Sequence, residues 1–392
     1  MGQANSTGIL WLSLACLAAG CDTAPQRAAD SGRYADAAAA DSGEPAQAFE
    51  WHLPQGFPTP LTPEDNPMSR AKVELGRHLF YDKRLSGNQT QSCASCHKQE
   101  LAFTDGRARG LGSTGKAHPR GPMSLANVAY STSLTWANPL FAMGVLPEPL
   151  ERQTLIPIYG DAPVELGIKS QTELVERLQA YVRYPELFQA AFPDEDEPVN
   201  PQNIGRALAA FERVLISGDS AYDRFIHGDD DALTASEKRG HALFTSDELQ
   251  CSQCHAGFNL SEHVHYRGEA EITLRYRNTG LYNVDGKGAY PAPNTGVFDV
   301  TMDPDDMGKF KVPTLRNVAL TAPYMHDGSI KTLDEVIDHY AAGGRNGRDN
   351  PLKDPLIHGF TISADERQDL IAFLGSLTDD AFITNPAFGD PF

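Results

Sequence analysis

The sequence predicts a mainly α chain built from two similar units separated by long loops, and three observations carry that reading. The pentapeptides Cys93-Ala-Ser-Cys96-His97 and Cys251-Ser-Gln-Cys254-His255 stand 158 residues apart (251 minus 93). Each is preceded by a helical stretch that ends in Gly-x-x-Leu-Phe, Ala71 to Phe80 in one case and Ser236 to Phe244 in the other. Elsewhere, apolar spacing near 3.6 recurs at residues 171–180, 203–216, 332–340 and 364–377, while alternating strand patterns are scarce.

Cys-x-x-Cys-His is the pattern of covalent c-type haem attachment: two thiols add to the haem vinyl groups and the following imidazole binds iron. With 6 Cys and 12 His in 392 residues, chance supplies about 0.003 such pentapeptides, so two are a signal. Cys93, Cys96, Cys251 and Cys254 are therefore expected to hold two haems, with His97 and His255 as iron ligands. Zinc, the competing reading, would be left one ligand short at each site with no nearby Cys to complete it.

Cys16 and Cys21 are the only other cysteines, so no disulfide framework is available to the folded part. Residues 9–19 form an apolar run of signal-peptide length, too short to span a bilayer. The run ends in Leu17-Ala18-Ala19-Gly20-Cys21, which has the form of a lipoprotein cleavage site. Residues 1–20 are expected to be a signal peptide that leaves a lipidated Cys21. Plain secretion with cleavage nearby is the alternative, since residues 1–10 contain no Lys or Arg. Either route places the chain in the periplasm, an oxidising compartment, with membrane contact only through the lipid. Residues 21–50, rich in Ala, Asp, Ser and Gly, are expected to be a flexible tether.

From Trp51 the chain is expected to fold as two domains, residues 51–228 and 229–392. The polar stretches Ser217 to Ser220 and Gly228 to Asp231 mark the connection between them. Thr234 and Glu237 have the spacing of a capping box that opens the helix before the second motif. The formal charge of −19 argues against nucleic acid as a partner. It suits solubility, or a partner protein with a basic patch.

Several segments resemble the bacterial di-haem cytochrome c peroxidase and MauG superfamily. The strongest is the run from Val312 to Gly328, Val-Pro-Thr-Leu-Arg-Asn-Val-Ala-Leu-Thr-Ala-Pro-Tyr-Met-His-Asp-Gly. The segments Gly112 to Arg120, Met123 to Tyr130, Thr135 to Asn138 and Asp338 to Gly344 look most like the MbnH-type enzymes within it. The resemblance covers nearly everything from residue 51 to the end and implies two cytochrome c-like haem domains.

By that resemblance the first haem, on His97, is the peroxidatic one with its distal side open to hydrogen peroxide. Its family uses a Gln, a Pro and a Glu there, matched by Gln153, Pro157 and Glu165, with a short insertion between Pro157 and Pro163. Glu165 is the expected general acid–base and Glu151 the runner-up; His118, the only His in a loop where cytochrome c peroxidases hold a distal His, competes for that position and is expected rather to serve loop packing or substrate access. The second haem, on His255, would be capped at the place where cytochrome c peroxidases carry a Met, 14 residues after the motif His. Counting from His326 reaches Tyr340 (326 plus 14), the MauG-type choice. The resemblance further implies Trp136 as a relay between the haems, and a Ca²⁺ ion held by Asn127, Thr321 and Pro323.

Three functions follow. In the first, peroxide drives the haem pair to a high-valent state that oxidises an aromatic residue, a Trp, of a partner protein. In the second, a cytochrome c peroxidase reduces peroxide to water with electrons from a small cytochrome or copper protein. The third is a non-enzymatic di-haem electron carrier, which needs both irons closed by strong ligands; the Gln153, Pro157 and Glu165 set argues against it.

Overall fold

The computed structural model describes residues 49–137, 149–272, 274–345 and 350–392. The expected leader, Cys21 and nearly all of the tether lie outside these residues, as does Asn138. The described part is mainly helical with long loops. In chain order the helices are α1 (Arg70–Tyr81), α2 (Leu150–Gln153), α3 (Ile156–Tyr159), α4 (Gln171–Gln179), α5 (Tyr184–Ala191) and α6 (Pro201–Arg213). They continue with α7 (Ala221–Ile226), α8 (Ala235–Phe244), α9 (Phe298–Thr301), α10 (Leu333–Ala341), α11 (Ala364–Gly375) and α12 (Asp380–Thr384). One two-stranded antiparallel ribbon pairs β1 (Tyr276–Arg277) with β2 (Phe310–Lys311).

The helix starts follow from local chemistry. The Thr234 hydroxyl accepts the Glu237 N–H, and the Glu237 carboxylate accepts the Thr234 N–H at 2.6 Å, the reciprocal box expected from the spacing. Thr332 with Glu335 and Ser363 with Glu366 open α10 and α11 in the same way. At α6, the Asn200 side chain accepts the Asn203 N–H at 2.9 Å, and Pro201 occupies the first turn, where no N–H is needed.

The internal repeat becomes a repeated helix crossing. Helix α1 packs across α6, and α8 packs across α11. A Cβ on Gly76 would lie 2.0 Å from the Ala207 carbonyl oxygen and 2.8 Å from the Phe211 Cβ. A Cβ on Gly240 would lie 1.9 Å from the Asp369 carbonyl oxygen and 2.7 Å from the Phe373 Cβ. One turn further on, Phe80 meets Phe211 and Phe244 meets Phe373, each with ring centroids 5.2 Å apart. The two crossings are copies of one design, and glycine is what lets the backbones approach.

The hydrophobic cores draw on both sides of the boundary expected at residue 228. The first core, around Leu75, Leu79, Phe80 and Phe211, also contains Phe382 and Phe388 from the C-terminal end. The tail is fastened by the Tyr81 hydroxyl donating to the Phe388 carbonyl (2.7 Å) and the Gln99 amide donating to the Asn385 carbonyl (2.8 Å). Conversely, Tyr222 on α7 packs against the second core, around Phe244 and Phe373. The Ser217–Ser220 connection is itself pinned: the Asp379 carboxylate accepts from the Ser217 hydroxyl and from the N–H groups of Gly218 and Asp219.

A buried ion pair closes this junction. The Arg316 guanidinium, 1% exposed, donates two parallel bonds of 2.8 Å to Asp223 and one of 2.9 Å to the Phe258 carbonyl. It also stacks 4.8 Å from the Phe57 ring centroid. Burial pushes the Asp223 carboxyl up, but the Arg316 bonds outweigh it and hold Asp223 below the ordinary carboxylate range. No helix among the described residues is long and apolar enough to cross a membrane.

Gly240→Ala should lower stability by about 1–3 kcal/mol, because no rotamer relieves a clash with backbone. Gly375→Ala, with nothing within 4 Å of its Cβ, should instead stabilise by about 0.5–1 kcal/mol. Thermal unfolding of the two variants beside wild type checks both signs. Arg316→Met, which strands Asp223, should cost about 3–5 kcal/mol at neutral pH. Asp223 has a depressed folded pKa, so the contribution of the pair is present above the unfolded carboxylate pKa and lost as pH falls through the folded one. Denaturant titrations of wild type and variant at pH 7 and in acid should therefore converge at the acid end.

Candidate haem centres

Both Cys-x-x-Cys-His motifs fold into one tight turn. The Cys93 carbonyl accepts the N–H groups of Cys96 (3.1 Å) and His97 (3.0 Å), and the Cys251 carbonyl accepts those of Cys254 (3.3 Å) and His255 (3.1 Å). Helical winding of this kind puts residues three and four apart on one face, so both thiols and the imidazole point the same way. None of the four cysteines is in a disulfide.

The imidazoles are oriented from behind. His97 Nδ1 lies 2.8 Å from the Phe103 carbonyl oxygen and His255 Nδ1 lies 3.2 Å from that of Leu260. Donation from Nδ1–H fixes the tautomer with the Nε2 lone pair free for a metal. The two accepting residues are both left-handed, Phe103 at φ +62° and Leu260 at φ +48°. A non-glycine residue at positive φ is costly, and here it turns the carbonyl toward the ring at each site. Burial lowers the pKa of both histidines and keeps them neutral, the form that binds iron.

Cys251, Cys254, His255 and Tyr340 line one large cavity, with apolar walls that include Val312, Leu333 and Leu374. Arg107 and Lys311 also line it, as does Arg277, whose guanidinium is paired with Glu262 and Asp354. Paired thiols, a neutral imidazole, an oxygen donor, apolar walls and peripheral cations together fit a covalently held haem. Burial pushes the Tyr340 phenol up, and the charges of Cys254 and Cys251 add to the effect. That second contribution disappears once the thiols become thioethers. Met325 lines the same cavity.

Trp136 borders this cavity as well, with its indole N–H donating to the Gly121 carbonyl at 2.9 Å. Asn127, Thr321 and Pro323, expected to hold Ca²⁺, share the same lining. The Asn127 side chain is already engaged: its oxygen accepts the Ser217 N–H (2.8 Å), and its amide donates to the Ser217 carbonyl (2.8 Å) and to Asn259 (3.0 Å). One lone pair on that oxygen remains for a cation. Among the described residues no three His, Cys, Asp or Glu side chains gather around a metal position, so a cation here would depend on neutral oxygens.

Around the first motif, the loop that carries His118 is laced to the segment that carries Glu165. Ser113 N–H donates to the Glu165 carbonyl (2.7 Å), the Ser113 hydroxyl to the Leu166 carbonyl (3.1 Å), and Leu166 N–H to the Pro157 carbonyl (2.9 Å). Gly112 allows the approach, since a Cβ there would sit 1.9 Å from the Val164 carbonyl oxygen. The Glu165 carboxyl is half-buried, and burial raises its pKa against the opposing pull of His118. Its charge also acts on the Cys93 and Cys96 thiols, which puts it beside the first motif. Gln153 Oε1 and His118 Nε2 are both buried without a hydrogen-bond partner. Such orphaned groups suit a site that receives a polar ligand.

Glu151, the runner-up, is committed elsewhere. It accepts two bonds from Arg213 (2.6 and 2.9 Å) and one from Asn66 (2.7 Å). Burial raises its pKa, but these donors prevail and lower it, which makes it a poor proton donor. One acidic group carries no mark in the sequence. Glu212 on α6 is 8% exposed, acts electrostatically on Cys93, and burial pushes its pKa up to about 8. Its position within an amphipathic helix gives no distinguishing signal. The cavity cations Arg107, Arg277 and Lys311 are equally unmarked.

The family model of di-haem cytochrome c peroxidases matches residues 70–231. The methylamine utilization protein MauG of Methylorubrum extorquens is 34% identical over 379 residues, covering 96% of both chains. Cytochrome-c peroxidase IdrP1 of Pseudomonas sp. (strain SCT) is 35% identical over 335 residues, 82% of this chain and 84% of its own. The crystal structure of a MauG-like protein associated with microbial copper homeostasis shares 49% identity and a TM-score of 0.84, covering 88% of this chain and 99% of that one. The di-haem peroxidase BthA of Burkholderia thailandensis, at 20% identity and a TM-score of 0.63, shares the fold. With paired attachment turns, a matching family model and relatives along nearly its whole length, this chain belongs to the di-haem cytochrome c peroxidase and MauG family of enzymes.

Proposed function

We propose that the protein uses hydrogen peroxide to oxidise an aromatic residue, a tryptophan, on a partner protein, and that it does so in the periplasm. The observation that carries the reading is Tyr340, on α10, lining the cavity of Cys251, Cys254 and His255. A phenolate oxygen favours ferric and higher oxidation states, whereas a thioether raises the reduction potential. The second site is thereby suited to storing oxidising equivalents rather than accepting electrons. The haems supply the redox chemistry with peroxide. Each peroxide takes up two electrons and two protons to become two waters, and the partner residue supplies the electrons.

The chain supplies the proton handling and the wiring. Glu165 carries the proton from the inner to the outer peroxide oxygen, with its pKa raised by burial for that task. Gln153, with its unpartnered Oε1, orients the oxidant, and Pro157 braces the Glu165 segment through its carbonyl. Trp136, against the second cavity, serves as the relay between the two sites. A Ca²⁺ ion on Asn127, Thr321 and Pro323 would stiffen the region between them. The MauG-like neighbour associated with copper homeostasis supports a partner concerned with copper handling.

A cytochrome c peroxidase is the second reading. It is favoured by the 35%-identical relative of that name and by Met325, whose thioether borders the same cavity.

The ferric protein should show one high-spin and one low-spin haem; two low-spin haems would sink both enzyme readings. Peroxide should then raise a near-infrared charge-resonance band that Tyr340→Met lacks, and a Tyr340→Met variant that behaves as wild type would remove the main argument. Sustained oxidation of reduced cytochrome c by the native protein would favour the second reading. Glu165→Gln should slow the reaction with peroxide by about 10²–10⁴-fold in stopped flow while the ferric spectrum stays unchanged. Wild-type rates would dismiss Glu165 as the acid–base.

A further inference from the structure

We propose that Tyr290 and Tyr282 form an electron route from the second haem cavity to the protein surface, with Asp327 as the base that takes the Tyr282 proton. The proposal rests on the partner-oxidation reading above and names the exit it requires.

The route begins at the cavity wall. Phe310 and His326 both line the cavity, and their rings stack with centroids 3.7 Å apart and planes 10° from parallel. The Tyr290 ring packs outside that pair, 6.0 Å from Phe310 and 6.3 Å from His326. Tyr282 follows, 5.4 Å from Tyr290 in an edge-to-face arrangement. Tyr290 is 4% exposed, whereas Tyr282 is half-buried and opens to solvent beside the exposed loop of Val284. Two ring-to-ring steps thus lead from the cavity wall to the surface.

The inner ring is rigidly held. Its hydroxyl donates to Asn278 Oδ1 at 2.8 Å and accepts the Leu281 N–H at 2.9 Å. Gly308, at φ +72°, makes room for it, since a Cβ there would fall 2.1 Å from a Tyr290 ring carbon. An amide oxygen is a poor base, so Tyr290 keeps its proton and serves as a bridge.

The outer ring is built differently. The Tyr282 hydroxyl donates to Asp327 Oδ2 at 2.5 Å, while Asp327 Oδ1 accepts the Ser329 N–H at 3.1 Å. Burial raises the Asp327 pKa, but the Tyr282 bond and the neighbouring His326 outweigh it and keep the carboxylate ionised. The Arg345 guanidinium lies 5.3 Å from the Tyr282 ring centroid, anchored on the Ser329 carbonyl and hydroxyl. Tyr282 therefore has a base within a short hydrogen bond, and Tyr290 has none.

The step balances as follows. Tyr282 gives up one electron, which passes inward through Tyr290, and its phenolic O–H breaks as the proton moves to Asp327 Oδ2. The neutral tyrosyl then takes an electron from the partner residue and recovers the proton from Asp327. Two such passages deliver the two electrons that one hydrogen peroxide consumes, and the partner residue is the species oxidised.

The test uses the di-haem holoprotein, hydrogen peroxide, and N-acetyl-tryptophanamide as the oxidisable probe. Freeze-quenched samples given peroxide alone should show a tyrosyl radical in wild type that Tyr282→Phe abolishes, with the ferric absorption spectrum and the rate of the first reaction with peroxide unchanged. Probe oxidation should fall about tenfold or more in Tyr282→Phe. In Asp327→Asn it should fall likewise and recover as pH rises, because solvent then has to take the proton. A radical signal and probe rate identical to wild type in Tyr282→Phe would overturn the route and leave the partner-oxidation reading standing. A tyrosyl signal that Tyr282→Phe removes, in a native protein that oxidises no tryptophan, would keep the route and sink that reading.

Discussion

At Gly76 the backbone of α1 comes so close to α6 that a single methyl group would strike the Ala207 carbonyl, and Gly240 brings α8 against α11 in the same way. Both attachment turns follow the first helix of one of these crossings. Each one buries a Phe pair a turn away, Phe80 with Phe211 and Phe244 with Phe373, and so fixes the rotation of the first helix. The chain that leaves that helix arrives at a Cys-x-x-Cys-His turn in a set place. Bulkier residues would hold the helices apart and displace the attachment turn with respect to the rest of its core.

From these common parts the two centres diverge in how the chain enters the turn, extended at Ser92 and left-handed at Gln250, and in what surrounds it. The turns, the Nδ1–carbonyl bonds and the left-handed residues that make them are shared. Near the first turn stands a half-buried carboxyl, Glu165, which His118 faces. Around the second are a tyrosine, a tryptophan and three basic side chains, one of them paired with carboxylates. The Arg316–Asp223 pair and the Asp379 anchor keep the two in register by joining segments from both sides of residue 228.

Much of this architecture is legible in the order of the residues. The Cys-x-x-Cys-His pentapeptides are local, and their chemistry needs only five consecutive residues. The Thr234–Glu237 box and the 3.6-residue periodicity of α4, α6, α10 and α11 are equally local, and each element lies within a few residues of where the spacing puts it. Which distant segments share a core is less legible. No local pattern in residues 380–392 says that Phe382 and Phe388 will fill the core of the first unit, because the residues they meet lie some 300 positions earlier.

Sequence by itself determined the chemistry: two covalent attachment turns, the histidines that follow them, the glycines of the repeated helix and the run from Val312 to Gly328. Each of these is a property of neighbouring residues, so the order of the chain suffices. Tertiary structure decided how chemically equivalent groups are paired. Glu151 and Glu165 are the same side chain in one stretch of sequence, but Arg213, 62 residues from Glu151, commits one and leaves the other. Tyr282 and Tyr290 differ in the same way, because Asp327 stands beside one hydroxyl and Asn278 beside the other. A side chain's acidity and reach are set by what folding brings within a few ångströms of it, and that distance is not written along the chain.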